Sequence, residues 1–401
     1  MIDCYDGQRH LILRRGVVVN SAKQIEYLLE RGLYDLGASS RGSDGGYETP
    51  LVENAVSPFQ RLEACYVQLE NLLLGSGTDA NHVGAAQAST PVSSFRSPTQ
   101  LLTDFLDGKE IAASDIDADH PHPFPGQVLQ LAAELQAVCL ADADAVIGAI
   151  HRDTFGPRYS IGHSLSRALL CELLAARCRI PPRNRRHLMA AALTCDLAML
   201  SLLDELSTHE DSLRPEHRQA IAEHPQHTVT LLAALGVNDP SWTNAVIQHH
   251  EFPNGAGYPA GLAETAISPW ARILKLADTY SAMLSRRSYR KALQSKDVFR
   301  QFFQKRGKEF DEQLATLFMN ELGVFPPGLA VKLQNGEHAV IIRRGSSPRT
   351  PLAKAVKGVR GVLLVPTVLR LTEIPEYAIV DVLEADAVGD LDMGELWGYG
   401  H

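Results

Sequence analysis

The chain has 401 residues, 45% of them hydrophobic, and a formal net charge of -9 at pH 7. That length exceeds what one hydrophobic core serves, so two or three domains are expected. The acidic balance argues against a nucleic-acid polymer or a lipid surface as partner, since both call for a basic face. No apolar run approaches the ~20 residues of a membrane helix, and the start at Met1 lacks the basic-then-apolar form of a secretory signal, so no membrane span and a cytoplasmic location are expected.

The six cysteines (Cys4, Cys65, Cys139, Cys171, Cys178, Cys195) are scattered, which speaks against a disulfide framework or a zinc knuckle. Residues 11–19 alternate weakly, and Ser21 can cap a helix over 22–31 that Gly32 would stop. The segment 41–50 reads as a loop, and 61–74 as a helix carrying Leu62, Cys65, Leu69 and Leu72 at helical spacing. Residues 75–98 have little to bury and read as a linker, 100–105 can dock, and the acidic, proline-bearing stretch 115–125 marks the main boundary.

From Gly126 onward long amphipathic helices are expected, with apolar stripes at 126–139, 165–174, 187–203, 219–235, 242–249, 269–284 and 296–322. Beyond Leu322 short strands are expected at 330–333, 339–343, 362–365 and 378–383. The expected architecture is mainly α: a small N-terminal α+β domain over 1–115, an all-helical domain over 126–330, and a short β-rich C-terminal appendage over 331–401.

The helical block holds residue types that suit divalent metal, namely imidazoles and carboxylates gathered from several helices. His163 lies early in one helix, Asp196 in the middle of another, and His224 opens His-Pro-Gln-His. His249 and His250 end an apolar helix, followed by Glu251 and the loop Gly255-Ala-Gly257-Tyr258-Pro259. Asp278 falls inside the apolar run Ile273 to Ala277, where an unpaired carboxylate is costly. Each also has a plainer explanation: helix-end histidines favoured by the macrodipole, a cap beside Pro225, a surface carboxylate. The histidines His151, His209, His217 and His227 read as surface residues.

The sequence His249-His250-Glu251 leading into Gly-x-Gly-Tyr-Pro resembles the signature of the HD-GYP family. The same order is kept by Tyr-Ser-Ile-Gly-His163, Thr-Cys195-Asp196, His224-Pro225 and Leu-Ala-Asp278-Thr-Tyr, and by the tail Phe325-Pro-Pro-Gly328. The resemblance implies an HD-type metal-dependent phosphohydrolase fold and a phosphodiesterase acting on cyclic di-GMP. It implies a divalent metal pair (iron, manganese or zinc) on His163, Cys195, Asp196, His224, His249, His250 and Asp278, with Asp196 as the shared catalytic carboxylate. Arg287 and Arg290 would hold the ligand phosphates, with solvated helix charges as the alternative. Gly255, Gly257, Tyr258 and Pro259 would form a contact surface for diguanylate cyclase (GGDEF) domains, and a homodimer is left open.

Two departures bear on activity. The family histidine beside Asp196 is Cys195 here, able to ligate zinc or ferrous iron but ill-suited to manganese or magnesium; a plain core thiol is the alternative. The family lysine three residues on is Met199, which removes a cation aimed at the phosphate in the transition state. Tyr159 stands where some relatives carry an acid, which speaks against a third metal. Two readings stay open: slow hydrolysis at a metal site, or a catalytically inactive receptor or interaction module.

Overall fold

The computed structural model describes residues 4–5, 11–13, 34–35, 56–75, 98–106, 109, 122–208, 213–285, 295–345 and 347–399. The helix expected over 22–31, the loop over 41–50, most of the linker and of the acidic boundary, His209, Arg287 and Arg290 lie outside these residues. The chain divides between Tyr47 and Glu48 into two compact units. In the first, β1 (Cys4–Tyr5), β2 (Leu11–Leu13) and β3 (Tyr34–Asp35) pair antiparallel in the order β2-β1-β3.

The second unit opens with α1 (Pro58–Leu74), where Ser57 Oγ accepts the Phe59 amide and Leu62, Cys65, Leu69 and Leu73 point inward. It packs against α3 (Phe124–Ala141), while α2 (Pro98–Leu106) lies alongside. The chain continues through α4 (Ala143–Arg152), α5 (Tyr159–Arg177), α6 (Pro182–Thr194), a 3-10 turn (Leu197–Met199) and α7 (Leu200–Thr208). Then come α8 (Pro215–Ala234), α9 (Pro240–Gln248), α10 (Pro269–Leu284), α11 (Ser295–Lys305) and α12 (Glu312–Leu322). The buried face of α5 packs against α6 and α10, so this helix forms the centre of the bundle.

The structure corrects three sequence expectations. The apolar stretch 187–203 is not one helix: it breaks at Cys195-Asp196, so Asp196 sits at a corner rather than mid-helix. The stretch 296–322 is likewise two helices, parted at Gly307, whose φ of +71° leaves the right-handed region, and restarted by the Asp311 side chain capping Gln313 and Leu314. Third, one run does reach membrane-like composition, which the sequence reading did not expect: an 18-residue window within Pro182–Thr208 has a mean hydropathy of 1.4. Its interruption and its packing against α3, α5 and α9 make it the interior of this bundle.

C-terminal to the helices, β4 (Ala330–Leu333), β5 (His338–Arg343), β6 (Leu352–Lys357), β7 (Leu363–Leu371) and β8 (Ile379–Val382) form an antiparallel sheet in the order β7-β6-β5-β4-β8. The strand β6 was not expected, and β7 runs well past 362–365. A short helix α13 (Met393–Trp397) returns to the bundle, bringing the Trp397 ring over the backbone of Gly148.

Candidate metal centre

Every imidazole and carboxylate proposed from the sequence as a ligand is brought to one buried place between α5, α6, α8, α9 and α10. Helix α5 presents Tyr159, His163 and Arg167 on one face, spaced four residues apart. The Tyr159 ring stacks on His163 with centroids 5.3 Å apart. The break after α6 turns Asp196 inward, and the backbone it frees is taken up: Ala198 N–H donates to Thr228 Oγ1 (3.2 Å). Thr194 Oγ1 donates to Ala190 O (2.8 Å) and accepts from Trp242 Nε1 (2.9 Å), which holds the last turn before that break.

His224 lies inside α8, not at a cap. The following Pro225 has no N–H to give to Ile221 O, and His224 Nδ1–H donates to that carbonyl instead (2.7 Å). His249 does the same at the end of α9, where Nδ1–H donates to Val246 O (2.6 Å), a carbonyl left over as the helix stops. A carbonyl only accepts, so both rings carry their proton on Nδ1 and expose Nε2 as a lone pair. These two Nε2 atoms face each other at 3.4 Å, and His224 Nε2 also stands 3.5 Å from Asp196 Oδ1. Three acceptors thus converge, and the Cys195 thiol, within 4.8 Å of ligand atoms of Asp196 and His249, directs its hydrogen to Ala192 O instead.

A proton is a poor filler for that gap. Burial, reinforced by His224, lowers His249 to about 4; burial lowers His224 as well, and burial with His249 and Lys275 holds His250 well below the usual imidazole range. A divalent cation fits. Bonds of about 2.0–2.2 Å to nitrogen and oxygen put neighbouring ligand atoms about 3–3.5 Å apart, and ligand atoms of His224, His249 and His250 all lie within 4.8 Å of one another.

The loop 251–262 holds His250. Glu251, buried and not assigned a role from the sequence, accepts the amides of Ala260 (2.7 Å) and Leu262 (2.9 Å) and closes the loop on itself. Tyr258 N–H donates to His250 O (3.2 Å), and the Tyr258 ring stacks on the His250 imidazole at 4.6 Å. Gly257 permits this fold: a Cβ there would lie 2.4 Å from Phe252 N and 2.5 Å from His250 O.

The other end of the site is differently furnished. His163 Nε2–H donates to Asp278 Oδ1 (3.1 Å) and His163 Nδ1 accepts from Ser281 Oγ (2.8 Å). Arg167, which the sequence reading passed over as part of an apolar stripe, is fully buried with its guanidinium on both Asp196 Oδ2 and Asp278 Oδ1. Burial works against ionising Asp278, but the His163 hydrogen bond and the Arg167 charge outweigh it and hold the carboxyl well below its usual range. Asp196 is lowered in the same way, burial again being overcome by Arg167 and His224. Cys195 is fully buried with its Sγ 3.8 Å from Ala192 O, and burial raises its thiol well above the usual value. Lys275 stands over the Phe252 ring, 4.9 Å from its centroid.

Three of the remaining histidines are corrected, His227 being half-buried. His217 is buried rather than exposed, and His151 is half-buried, with Nδ1–H donating to Ile147 O (2.9 Å) and Nε2 accepting from Tyr280 Oη (2.8 Å).

A family profile described as "HD domain" matches residues 154–314, the segment that contains all these groups. Among curated proteins, a cyclic di-GMP phosphodiesterase of Pseudomonas aeruginosa is 27% identical over 237 residues, 59% of this chain and 57% of that protein. The cyclic di-GMP phosphodiesterase PdeB of Borreliella burgdorferi is 24% identical over 184 residues, 46% of this chain and 48% of that one. The chain thus spans about half the length of these relatives. A solved HDGYP protein of Bdellovibrio bacteriovorus aligns over 79% of this chain and 92% of its own, at 14% identity and a TM-score of 0.42. The profile match and the geometry lead to one assignment: residues 154–314 of this chain form an HD domain, with histidines ordered ahead of the glycine loop in a way similar to HD-GYP proteins.

Proposed function

We propose that this chain is a metal-dependent phosphodiesterase-type module of cyclic di-GMP signalling, working with weakened catalysis. The observation that carries it is the set of acceptors, His224 Nε2, His249 Nε2 and Asp196 Oδ1, held face to face with their protons fixed elsewhere. His224, His249, His250 and Asp196 would hold a divalent ion, with iron, manganese and zinc all compatible with nitrogen and oxygen donors. Such an ion supplies Lewis-acid stabilisation of the charge that builds on a phosphoryl oxygen. The protein's own part is to keep Nε2 free on two rings, to fix His250 beneath Tyr258, and to keep the pocket walled by apolar helices. The relatives named cyclic di-GMP phosphodiesterases support the choice of substrate. Arg287 and Arg290 remain the proposed phosphate contacts.

Weakened turnover follows from Met199, which is buried in the 3-10 turn and puts no charge where the family has a cation. Of the loop residues proposed to meet a diguanylate cyclase domain, Pro259 is exposed and Gly255, Gly257 and Tyr258 are half-buried, so the docking surface would be completed by the exposed Asn254 and Ala256. The division into 1–115, 126–330 and 331–401 is retained as a proposal for regulatory, catalytic and accessory segments in a cytoplasmic protein, with a homodimer open.

The test is metal content by elemental analysis of protein purified without chelator, followed by cyclic di-GMP binding and turnover on the same sample. Bound metal, binding of the dinucleotide and slow linear product are expected. His249→Ala should weaken metal binding by more than the ~10–100-fold that loss of a supporting partner costs. Absence of both binding and turnover in metal-loaded protein would sink the proposal.

A further inference from the structure

The geometry points to Arg167 as a built-in cation that stands in the second metal position of this site, so that the centre holds one metal ion rather than two. The inference rests on the metal reading above and concerns the carboxylate end, where His163, Asp196 and Asp278 offer ligand atoms within 4.8 Å of one another. The Arg167 guanidinium bridges those two carboxylates as a divalent ion would, with Nη1 on Asp196 Oδ2 and 2.9 Å from Asp278 Oδ1. Its other two nitrogens are engaged as well: Nε donates to Ala192 O (2.8 Å) and Nη2 to Ser164 Oγ (3.2 Å). A planar fork with every arm satisfied and no exposure is a fixed part of the interior, not a surface side chain that has wandered in.

The two ends of the site differ in what they lack. At the carboxylate end donors already stand on the acceptors: Asp278 Oδ1 takes hydrogen bonds from His163 and Arg167, Asp196 Oδ2 takes one from Arg167, and His163 Nδ1 is served by the Ser281 hydroxyl. His163 acts there as a donor, with the nitrogen a metal would need already carrying a proton. At the histidine end acceptors face acceptors. Asp196 spans the two with Oδ2 toward Arg167 and Oδ1 toward His224, so it bridges a guanidinium and a metal position rather than two metals. Two carboxylates against one guanidinium leave one negative charge, which a cation at the histidine end would neutralise. Cys195, the departure from the family histidine, lies between the two ends, its Sγ within 4.8 Å of ligand atoms of both Asp196 and His249. A guanidinium offers permanent charge but no open coordination position, so it can orient Asp196 and cannot activate water.

The experiment is metal stoichiometry by elemental analysis after equilibration with zinc or manganese, on wild type, Arg167→Gln, Arg167→Lys and His249→Ala. Wild type and Arg167→Lys are expected to bind about one equivalent per chain and Arg167→Gln about two, as in a two-metal site. Arg167→Gln should also melt lower than wild type in chelator and recover more on adding metal, a readout that a variant failing to fold would not show. Two equivalents in wild type, lost to one in His249→Ala, would overturn the inference and leave the metal reading standing. No metal in wild type but one equivalent in Arg167→Gln would support Arg167 as the resident cation and overturn the reading of the histidine end. Identical content in wild type and Arg167→Gln, whether none or one, would overturn the inference.

Discussion

Pro225 does its work by omission. Lacking an N–H, it leaves the Ile221 carbonyl for the neighbouring imidazole, and His224 is thereby locked in the tautomer a metal needs. The order of histidines and aspartates was legible in the sequence because each sits in a local motif. Arg167 was not legible, since it falls inside the stripe 165–174, where a lone cation reads as a helix-surface charge. Its spacing of four from His163 was the signal that it shared the buried face. His151 likewise resembled a surface residue, yet it is tied to Tyr280, and burial lowers it to about 4 from an ordinary 6.5. A histidine lowered by folding stabilises the native state above the ordinary value, and that contribution is lost as pH falls through the window from 6.5 to about 4. Denaturation midpoints should therefore drop across that window. His151→Gln, which does not titrate, should show a shallower drop; identical slopes would contradict this account.

Among the elements, the loop 251–262 shows how glycine spacing becomes function. The sequence showed that glycines and prolines there allow unusual backbone, but not that the loop folds back on the histidine preceding it. That depends on the Glu251 carboxylate accepting two amides nine and eleven residues further on. Gly257→Ala drives a methyl into the backbone of Phe252 and Glu251, so it is expected to destabilise the protein by about 1–3 kcal/mol, the usual cost of overpacking. Because Tyr258 loses its seat on His250, metal affinity should fall about 10–100-fold, the range for loss of a supporting group. Metal titration of the refolded variant checks this, and unchanged affinity would detach the loop from the site. The helix breaks at Cys195-Asp196 and at Gly307 escaped sequence reading for a shared reason: apolar periodicity continues on both sides of each.

Over the whole second unit, the β appendage is fastened to the bundle rather than hung from it. Arg343 Nη2 pairs with Asp142 (2.7 Å), Arg344 with Asp144 and Glu321, and Tyr399 Oη donates to Asp142 Oδ2 (2.7 Å). Arg152 donates to the carbonyls of Ala385 (2.9 Å) and Gly389 (3.1 Å). The strand runs rich in Val and Ile were readable in advance. The strand β6, Leu-Ala-Lys-Ala-Val-Lys, was not, because its buried alanines carry little apolar signal and its strand state comes from pairing with β5 and β7. Trp397 is the rivet, buried against Gly148 and edge-on to Phe59 at 5.5 Å. Trp397→Ala should cost about 3–5 kcal/mol in denaturant unfolding, as large aromatic truncations do. A loss below 1 kcal/mol would mean that the appendage is held by its ion pairs alone.

The indole of Trp242 donates to Thr194, one residue before Cys195-Asp196, and its helix ends in His249. It is one of three tryptophans in the chain, fully buried, and placed between the two segments that carry the proposed ligands Asp196 and His249. The protein therefore carries its own fluorophore at the wall of the site, and occupancy there can be followed by emission without attaching a label.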